Sequence, residues 1–510
     1  MMNKNFKAPD WKTYLPRPVC EAHKEYEAFY DKAWELARDH VRDIPGMPQN
    51  PYMDEAFCDT QVWIWDSCFM SLFCKFAQEV FPGVETFQNF YDVLYHGKTL
   101  PLITPTENEP EWTRATPGVP TNIKVHIADN PPLFAFGEYE NALIHGDRDY
   151  LRELLYDRQS LQRHYEWFES QHEIHDIPGV LEKSHLICER DGYRWEGGRS
   201  GMDNTPRGRT GECCERERPN NPDMLWIDAI CQQALSARLL SRMFALLGDS
   251  KNEALWQEKF LAKKQLVNDL YWDEKDAFYY DIDCNDHHFY KVVTIASYWA
   301  LTAGVATREQ ALAMAARLKD PTDLGGTLPL LSLSKQDGDY SKTGKYWRGS
   351  MWLPTAYATL KGLAEYGLYD DAHEAAFKIM AYMQKTYAQF EPHTIWECYA
   401  PEGYRPGTQT NDKTICRPNF CGWSALGPIS IYIEYVLGFH TINAFDKIVK
   451  WAKPRDIDGK IGIQNLRFGS IVTDIVAEET TCRVSTNAPY TLEINGKAYA
   501  IGAGETVITL

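Results

Sequence analysis

Residues 225–248, LWIDAICQQALSARLLSRMFALLG, carry the plainest helical signature in the chain. Leu225, Ile230, Leu235, Leu239, Met243 and Phe244 supply an apolar stripe at helical spacing, Asn221, Pro222 and Asp223 offer a start, and Gly248 offers a stop. Outward from this segment, similar stripes predict helices near 22–44, 67–80, 133–145, 150–170, 252–270, 292–303, 308–318, 353–366, 371–389 and 423–437. Many fall into consecutive pairs, and strand-like alternation between them is short, as in AFYYDIDC at 277–284. About a dozen paired helices without a fixed-period repeat suit a closed toroid of inner and outer helices better than a solenoid. Function is then expected on the loops at one end of the inner ring. Beyond about residue 445 the pattern changes to β-branched and polar alternation between the turn signals Asn-Ala-Pro, Asn-Gly-Lys and Gly-Ala-Gly. The expected organisation is a mainly α domain over 1–444 and a small β-sandwich-like domain over 445–510, the latter a packing module.

The 510 residues, 44% hydrophobic and 24% charged, are enough for a large buried core and argue against disorder. A net charge of −18, with no basic run to track a phosphate backbone, argues against nucleic acid as a partner. The N-terminal MMNKNFKAPDWK lacks the apolar core of a signal peptide, and no stretch approaches the ~20 apolar residues that span a bilayer. The expectation is a cytoplasmic protein with no membrane partner. Thirteen scattered cysteines fit reduced core residues better than a disulfide framework. The Cys213–Cys214 pair and the group Cys398, Cys416 and Cys421 lack the tight spacing and nearby histidines of a metal site, so no metal or cofactor is expected.

Four clusters in Gly- and Pro-rich segments between helices combine tryptophans with charged groups: QVWIWDSCF (61–69), WEGGRSGMDNTPR (195–207), YWRGSMW (346–352) and IWECYAPEGYRPG (395–407). A tryptophan face beside Asp, Arg or Glu suits a sugar ring, with C–H groups on the indole and hydroxyls on the polar atoms. Glycoside hydrolysis needs two carboxyl groups, one to protonate the departing oxygen and one to act at the anomeric carbon. Asp203 and Glu397 lie in separate irregular segments that a toroid can bring to one rim. Structural roles stay open for both from spacing alone: an Asx-turn of Asp203 with Asn204, and pairing of Glu397 with Arg405. Asp66 reads equally well as a helix N-cap or as a ligand group. Arg348, between Trp347 and Gly349, is expected to bind oxygen atoms. Sites of GxSxG, HExxH, phosphate-loop or GxGxxG type do not occur.

In the order WxWDS, SGMDNTPR, YWRGxxW, then WExY before a Pro-Glu-Gly turn and a Gly-Trp-Ser helix start, the clusters resemble glycoside hydrolase family 63 over about residues 50–440. The likeness is nearest to its bacterial mannosylglycerate and glucosylglycerate hydrolase branch, and more distant to trehalases. This resemblance implies an (α/α)6 barrel and hydrolysis of an α-linked sugar with inversion. It casts Asp203 as general acid and Glu397 as general base. Trp63, Trp65 and Asp66 match the segment holding the terminal sugar, Tyr346, Trp347, Arg348, Gly349 and Trp352 a second wall, and Trp423 a third. Asn130, in ADNPP, takes the place of a polar pocket residue; Trp195 and Gly201 belong to the acid segment. The family's Trp-Glu pair usually runs straight into Ser-Gly, whereas Gly197, Gly198 and Arg199 intervene here, so a displaced Trp195 or a reshaped subsite beyond the bond is expected.

The expected function is an exo-acting, inverting α-glycoside hydrolase releasing a terminal glucose or mannose from a small glycoside or oligosaccharide, with a carbohydrate as its small-molecule partner. A trehalase-type hydrolase is the nearest alternative. A sugar epimerase on a similar barrel would need proton-shuttling histidines, and neither His96 nor His126 lies in the matched motifs. A non-catalytic sugar-binding protein is disfavoured by the presence of both carboxylates.

Overall fold

The computed structural model describes residues 4–55, 58–107, 109–110, 115–126, 128–209 and 221–510. The signature segment forms the helix Ile227–Leu247, ended at Gly248, whose φ of 77° is readily adopted only without a Cβ. Its start is later than the sequence suggests, because Met224 and Leu225 are drawn into a strand that pairs with Ile282 and Asp283. Burial covers nearly every face of its first four turns, as expected of an interior helix, whereas the following helix Ser250–Leu270 buries only Trp256, Phe260 and Val267.

This contrast repeats along the chain. Ile64–Cys74, Phe134–His145, Trp299–Ala303, Leu353–Glu365 and Gly427–Val436 are buried on most sides, while Glu25–Asp39, Ser160–Glu169, Arg308–Lys319 and Tyr369–Gln389 bury one face. The interior helices pack in succession: Ile64–Cys74 on Phe134–His145, that on Ile227–Leu247, then Trp299–Ala303, Leu353–Glu365 and Gly427–Val436, which returns to the first. The fold is mainly α.

Several elements differ from the periodicity reading. The stretch 150–170 is broken into Arg148–Arg152, a π-helical Glu153–Arg158 and Ser160–Glu169, with Gln159 at φ 55° between the last two. The last interior helix is also π-helical, Gly427–Val436, after a short 3-10 turn Ser424–Leu426. A helix at Phe87–His96 escaped the reading altogether. It is placed by a close approach at Gly137, where a Cβ would lie 2.7 Å from both the Phe87 ring and Ser71 Oγ.

At the C-terminus the alternation forms strands in two sheets. Thr441–Asn443, Ile448–Trp451, Tyr490–Ile494 and Lys497–Ile501 make one, with Asn495-Gly496 as the hairpin turn. Ile461–Phe468, Ile471–Glu478, Thr481–Thr486 and Gly504–Thr509 make the other, and the N-terminal strand Arg17–Cys20 joins its edge by pairing with Ile461–Gln464. Asn465 ties this sheet to the N-terminal segment by donating to the carbonyls of Thr13 and Leu15. Among the described residues no helix is long and apolar enough to cross a membrane. The described cysteines are unpaired thiols; Cys416 donates to the Cys398 carbonyl at 3.2 Å, and Cys213–Cys214 lies outside the described residues.

Gly137→Ala is expected to lower stability by about 1–3 kcal/mol through overpacking, although alanine is the better helix former. Urea denaturation checks this, and a variant as stable as the parent contradicts the close helix approach.

Candidate active site

The segment carrying Asp203 begins with a single helical turn, Gly197–Ser200, ended by Gly201 at φ 79°. Gly201 lies so close to the Trp65 indole that a Cβ would meet it at 2.9 Å. Asp203 follows, half-buried. The next residue locks it to the opposite wall: Asn204 Nδ2 donates to the Lys345 carbonyl at 3.0 Å, its Oδ1 accepts from Trp347 N–H at 2.8 Å, and its carbonyl accepts from Arg348 Nε at 3.0 Å. Beyond the Thr-Pro turn, Arg207 is 1% exposed and donates to both carboxylate oxygens of Asp228 and of Asp281, its guanidinium 4.5 Å from the Trp226 ring centroid. Arg209 pairs with Asp337 and Asp339, and Asp339 also accepts from Arg348.

Glu397 is fully buried at the base of the facing wall. Its Oε1 accepts from Tyr346 O–H at 2.8 Å and Arg417 Nη1 at 2.7 Å, its Oε2 accepts from Arg417 N–H at 3.2 Å, and its carbonyl accepts from Trp423 Nε1 at 2.8 Å. Its charged partner is Arg417, not Arg405. Burial opposes the charge on Arg417, but Glu397 and Tyr346 outweigh it and raise the guanidinium's pKa.

These residues line one cleft of about 470 Å³. Among the predicted residues, Trp63, Trp65, Asp66, Asn130, Gly201, Asp203, Tyr346, Trp347, Glu397 and Trp423 face it. Asp66 is not a cap: Trp63 takes that position, and Asp66 is buried in the first turn of Ile64–Cys74. Burial, with the Glu397 carboxylate nearby, pushes its pKa well above the usual range, which favours the neutral, hydrogen-donating form. Trp65 Nε1, Asp66 Oδ1 and Asn130 Oδ1 are buried without a hydrogen-bond partner among the described residues. Such atoms are costly to bury unless something supplies the missing bond, and ligand hydroxyls do so in a cleft.

Four predicted residues do not face the cleft. Arg348 is buried in the clamp just described, so it holds Asn204 and Asp339 in place of ligand oxygens. Trp352 stands behind Trp347, the rings stacked 4.1 Å apart at 4°. Gly349 supports the turn at φ 145°, where a Cβ would meet the Ser341 carbonyl at 2.5 Å. Trp195 is buried with Nε1 donating to the Asp129 carbonyl, and the inserted Gly198 lines the cleft instead. Of the inserted residues Gly197, Gly198 and Arg199, the last is buried against Asp129, Glu182 and Glu196.

The cleft also contains His126, Glu182, Gln409, Thr410 and Arg417, which sequence reasoning missed. Strand Lys124–His126 pairs in parallel with Gln61–Trp63, placing His126 beside Trp63, and the two rings stack at 3.4 Å. His126 Nε2 lies 3.5 Å from Glu182 Oε1. Hydrogen bonding from His126, with the Arg199 charge and against burial, lowers the Glu182 pKa to about 2. No spacing in the sequence connects these residues.

Two carboxyl groups facing a cleft walled by indoles are the arrangement of a carbohydrate-cleaving enzyme. Residues 60–408 match the mannosylglycerate hydrolase MGH1-like glycoside hydrolase domain, and the chain belongs to this family of glycoside hydrolases. It is 26% identical over 352 residues to an uncharacterized protein of Borreliella burgdorferi, covering 68% of this chain and 67% of that one. It is 27% identical over 297 residues to the mannosyl-oligosaccharide glucosidase of Saccharomyces cerevisiae, covering 52% of this chain and a third (33%) of that enzyme's length. In fold it is similar to the GH63 mannosylglycerate hydrolase of Thermus thermophilus in complex with glucose, with a TM-score of 0.52, 17% identity, and coverage of 79% of this chain and 99% of the other. The family 63-like assignment drawn from the four motifs agrees with these relationships.

Asn204→Ala is expected to lower glycoside turnover by about 10–100-fold with a small change in KM, because the acid loop loses its register against Trp347. Steady-state kinetics check this, and unchanged kcat argues that the clamp is unimportant. The depressed Glu182 pKa stabilises the fold above the unfolded value of 4.5, and this contribution is lost as pH falls toward about 2. The stability difference between the parent and Glu182→Gln should therefore shrink between pH 6 and pH 2.5 in urea titrations.

Proposed function

We propose that this chain is an exo-acting, inverting α-glycoside hydrolase that releases a terminal glucose or mannose from a small glycoside or oligosaccharide. The observation that carries the reading is the meeting of Asp203 and Glu397, 194 positions apart in sequence (397 − 203), on one cleft with the indoles of Trp63, Trp65, Trp347 and Trp423. In this scheme Asp203 protonates the glycosidic oxygen, and Glu397 takes a proton from water attacking the opposite face of the anomeric carbon. Tyr346 and Arg417 orient Glu397; Asn204, Arg207 and Arg348 orient the acid loop. Trp65, Asp66 and Asn130 bind hydroxyls of the terminal sugar. The scaffold in this reading is an (α/α)6 barrel with the C-terminal strands as a β-sandwich-like appendix, supported by the succession of interior helices that returns to its start. The proposed division at residues 444/445 has the N-terminal strand Arg17–Cys20 reaching across to the C-terminal sheet. A cytoplasmic setting is consistent with the unpaired thiols.

The glucosidase and mannosylglycerate hydrolase names of the relatives support glucose or mannose as the released sugar. His126, now in the cleft wall, is the observation that favours an epimerase instead, but it is lodged between the Trp63 ring and Glu182.

The test is incubation with α-glucosides and α-mannosides, including glycerate-linked ones and trehalose, followed from the first minutes by NMR of the anomeric protons. Initial release of β-anomer is expected. Initial α-anomer refutes the inverting scheme, and epimerised sugar without cleavage supports the epimerase. Asp203→Asn and Glu397→Gln are each expected to lower kcat by about 10²–10⁴-fold while the protein stays folded. Near-parental activity in either variant removes that residue from the chemistry.

A further inference from the structure

Three interior helices point their N-terminal ends at the substrate cleft: the cleft residue Trp63 precedes Ile64–Cys74, Trp352, stacked behind the cleft residue Trp347, precedes Leu353–Glu365, and the cleft residue Trp423 precedes the turn into Gly427–Val436. Where the same helices end, a second cavity of about 310 Å³ opens, bounded on its far side by the strand Thr441–Asn443. Lys75, Glu140, Arg242, Lys361, Glu365 and Glu434 bring three cations and three carboxylates to it. Lys75 Nζ lies 2.8 Å from Glu140 Oε2 and 2.9 Å from Glu434 Oε1, and Lys361 Nζ lies 2.8 Å from Glu140 Oε2. Arg242 pairs with Glu365 at 3.0 Å.

The Lys75 pairs are buried, and buried ion pairs add little stability over apolar packing of the same volume. A cavity kept open beside them is a further loss of packing. The cavity therefore has the character of a binding site more than of a structural core. The balanced charges select against a strongly ionic ligand. Tyr435, 3% exposed, has a hydroxyl without a hydrogen-bond partner among the described residues, and it lines the cavity. Tyr369, stacked on His440 at 4.3 Å, adds an aromatic wall. Carboxylate acceptors, ammonium donors, a phenol that can do either and an aromatic face together match a molecule carrying many hydroxyls.

We propose that this cavity is a second ligand site, separate from the cleft of Asp203 and Glu397, that takes an uncharged polyol the size of one sugar ring. The ligand lies between the C-terminal ends of the interior helices and the first C-terminal strand, whose neighbouring Ala444 N–H already donates to the Leu143 carbonyl at 2.7 Å. Its occupancy thus links the helical part of the chain to the C-terminal sheets. The proposal does not rest on the hydrolase reading.

Titration calorimetry of the full chain with D-glucose, D-mannose and glycerol tests it. Ala364, half-buried in the cavity wall, is replaced by tryptophan to fill the space. Ala364→Trp is expected to remove one binding equivalent per chain for at least one probe while glycoside cleavage stays at the parental rate. Tyr435→Phe is expected to weaken the same class of site about five- to tenfold and keep its stoichiometry. Loss of an equivalent for either sugar supports a ring-sized ligand, and loss for glycerol alone overturns it. Equal stoichiometry and affinity in the parent and both variants for all three probes overturns the proposal, and should Ala364→Trp fail to fold, Tyr435→Phe decides by the same criterion. Cleavage assayed in the same variants separates a failure of this site from a failure of the proposed hydrolase.

Discussion

Arg207 is buried between Asp228 and Asp281 and donates to both oxygens of each. The segment that carries Asp203 has one helical turn and little other regular structure, so long-range anchors must supply its position. Asp228 sits in the first turn of the longest interior helix, where the helix dipole favours a carboxylate, and Asp281 belongs to the strand that pairs with the residues just before that helix. A guanidinium held by both joins the Asp203 segment to the scaffold at one point. Removing Arg207 leaves two buried carboxylates without their counter-charge, a loss of about 3–5 kcal/mol in comparable cases. Asn204, Arg348 and the Arg209 pairs with Asp337 and Asp339 then fasten the Tyr346–Trp352 wall to the same loop. The Asp203 segment and its facing wall are thus set as one unit.

The two ends of the interior helices are used differently. At the N-terminal ends, buried polar atoms of Trp65, Asp66 and Asn130 lack partners among the described residues, and Asp66 is held toward its neutral form by burial. Such groups lower stability unless a ligand completes them. At the C-terminal ends the charges of Lys75, Lys361, Glu140 and Glu434 answer one another, in keeping with the preference of helix C-termini for cations. Burial raises the carboxylate pKa of Glu140, but Lys361 and Lys75 outweigh it and lower the pKa to about 2. One end is built with unmet hydrogen bonds and the other with balanced charge.

The same side-chain chemistry meant different things in different packing. Arg348, beside Trp347 and Gly349, had the local signature of a ligand-binding arginine, yet its guanidinium is buried in the loop clamp. Trp352 and Trp195 are as aromatic as Trp347 and Trp63, but they form the layer behind the cleft, Trp352 stacked on Trp347 and Trp195 bonded to the Asp129 carbonyl. His126 and Arg417 lie in no motif with Trp63 or Glu397. A parallel ladder and an antiparallel bridge between Trp396 and Pro418 bring them there.

By itself the sequence determined the helical character of the chain and a change to strands, which it placed near residue 445 where the first strand begins at Thr441, because hydrophobic periodicity and turn residues are local properties. It also determined which segments carry the carboxylates and indoles, since three of the four clusters hold them in Gly- or Pro-containing stretches that interrupt a helix. Only the tertiary structure decided which of them face the cleft, that Glu397 is partnered by Arg417, and that a second polar cavity lies at the opposite ends of the helices. The direction of a side chain depends on what fills the space behind it, and that space is bounded by residues hundreds of positions away.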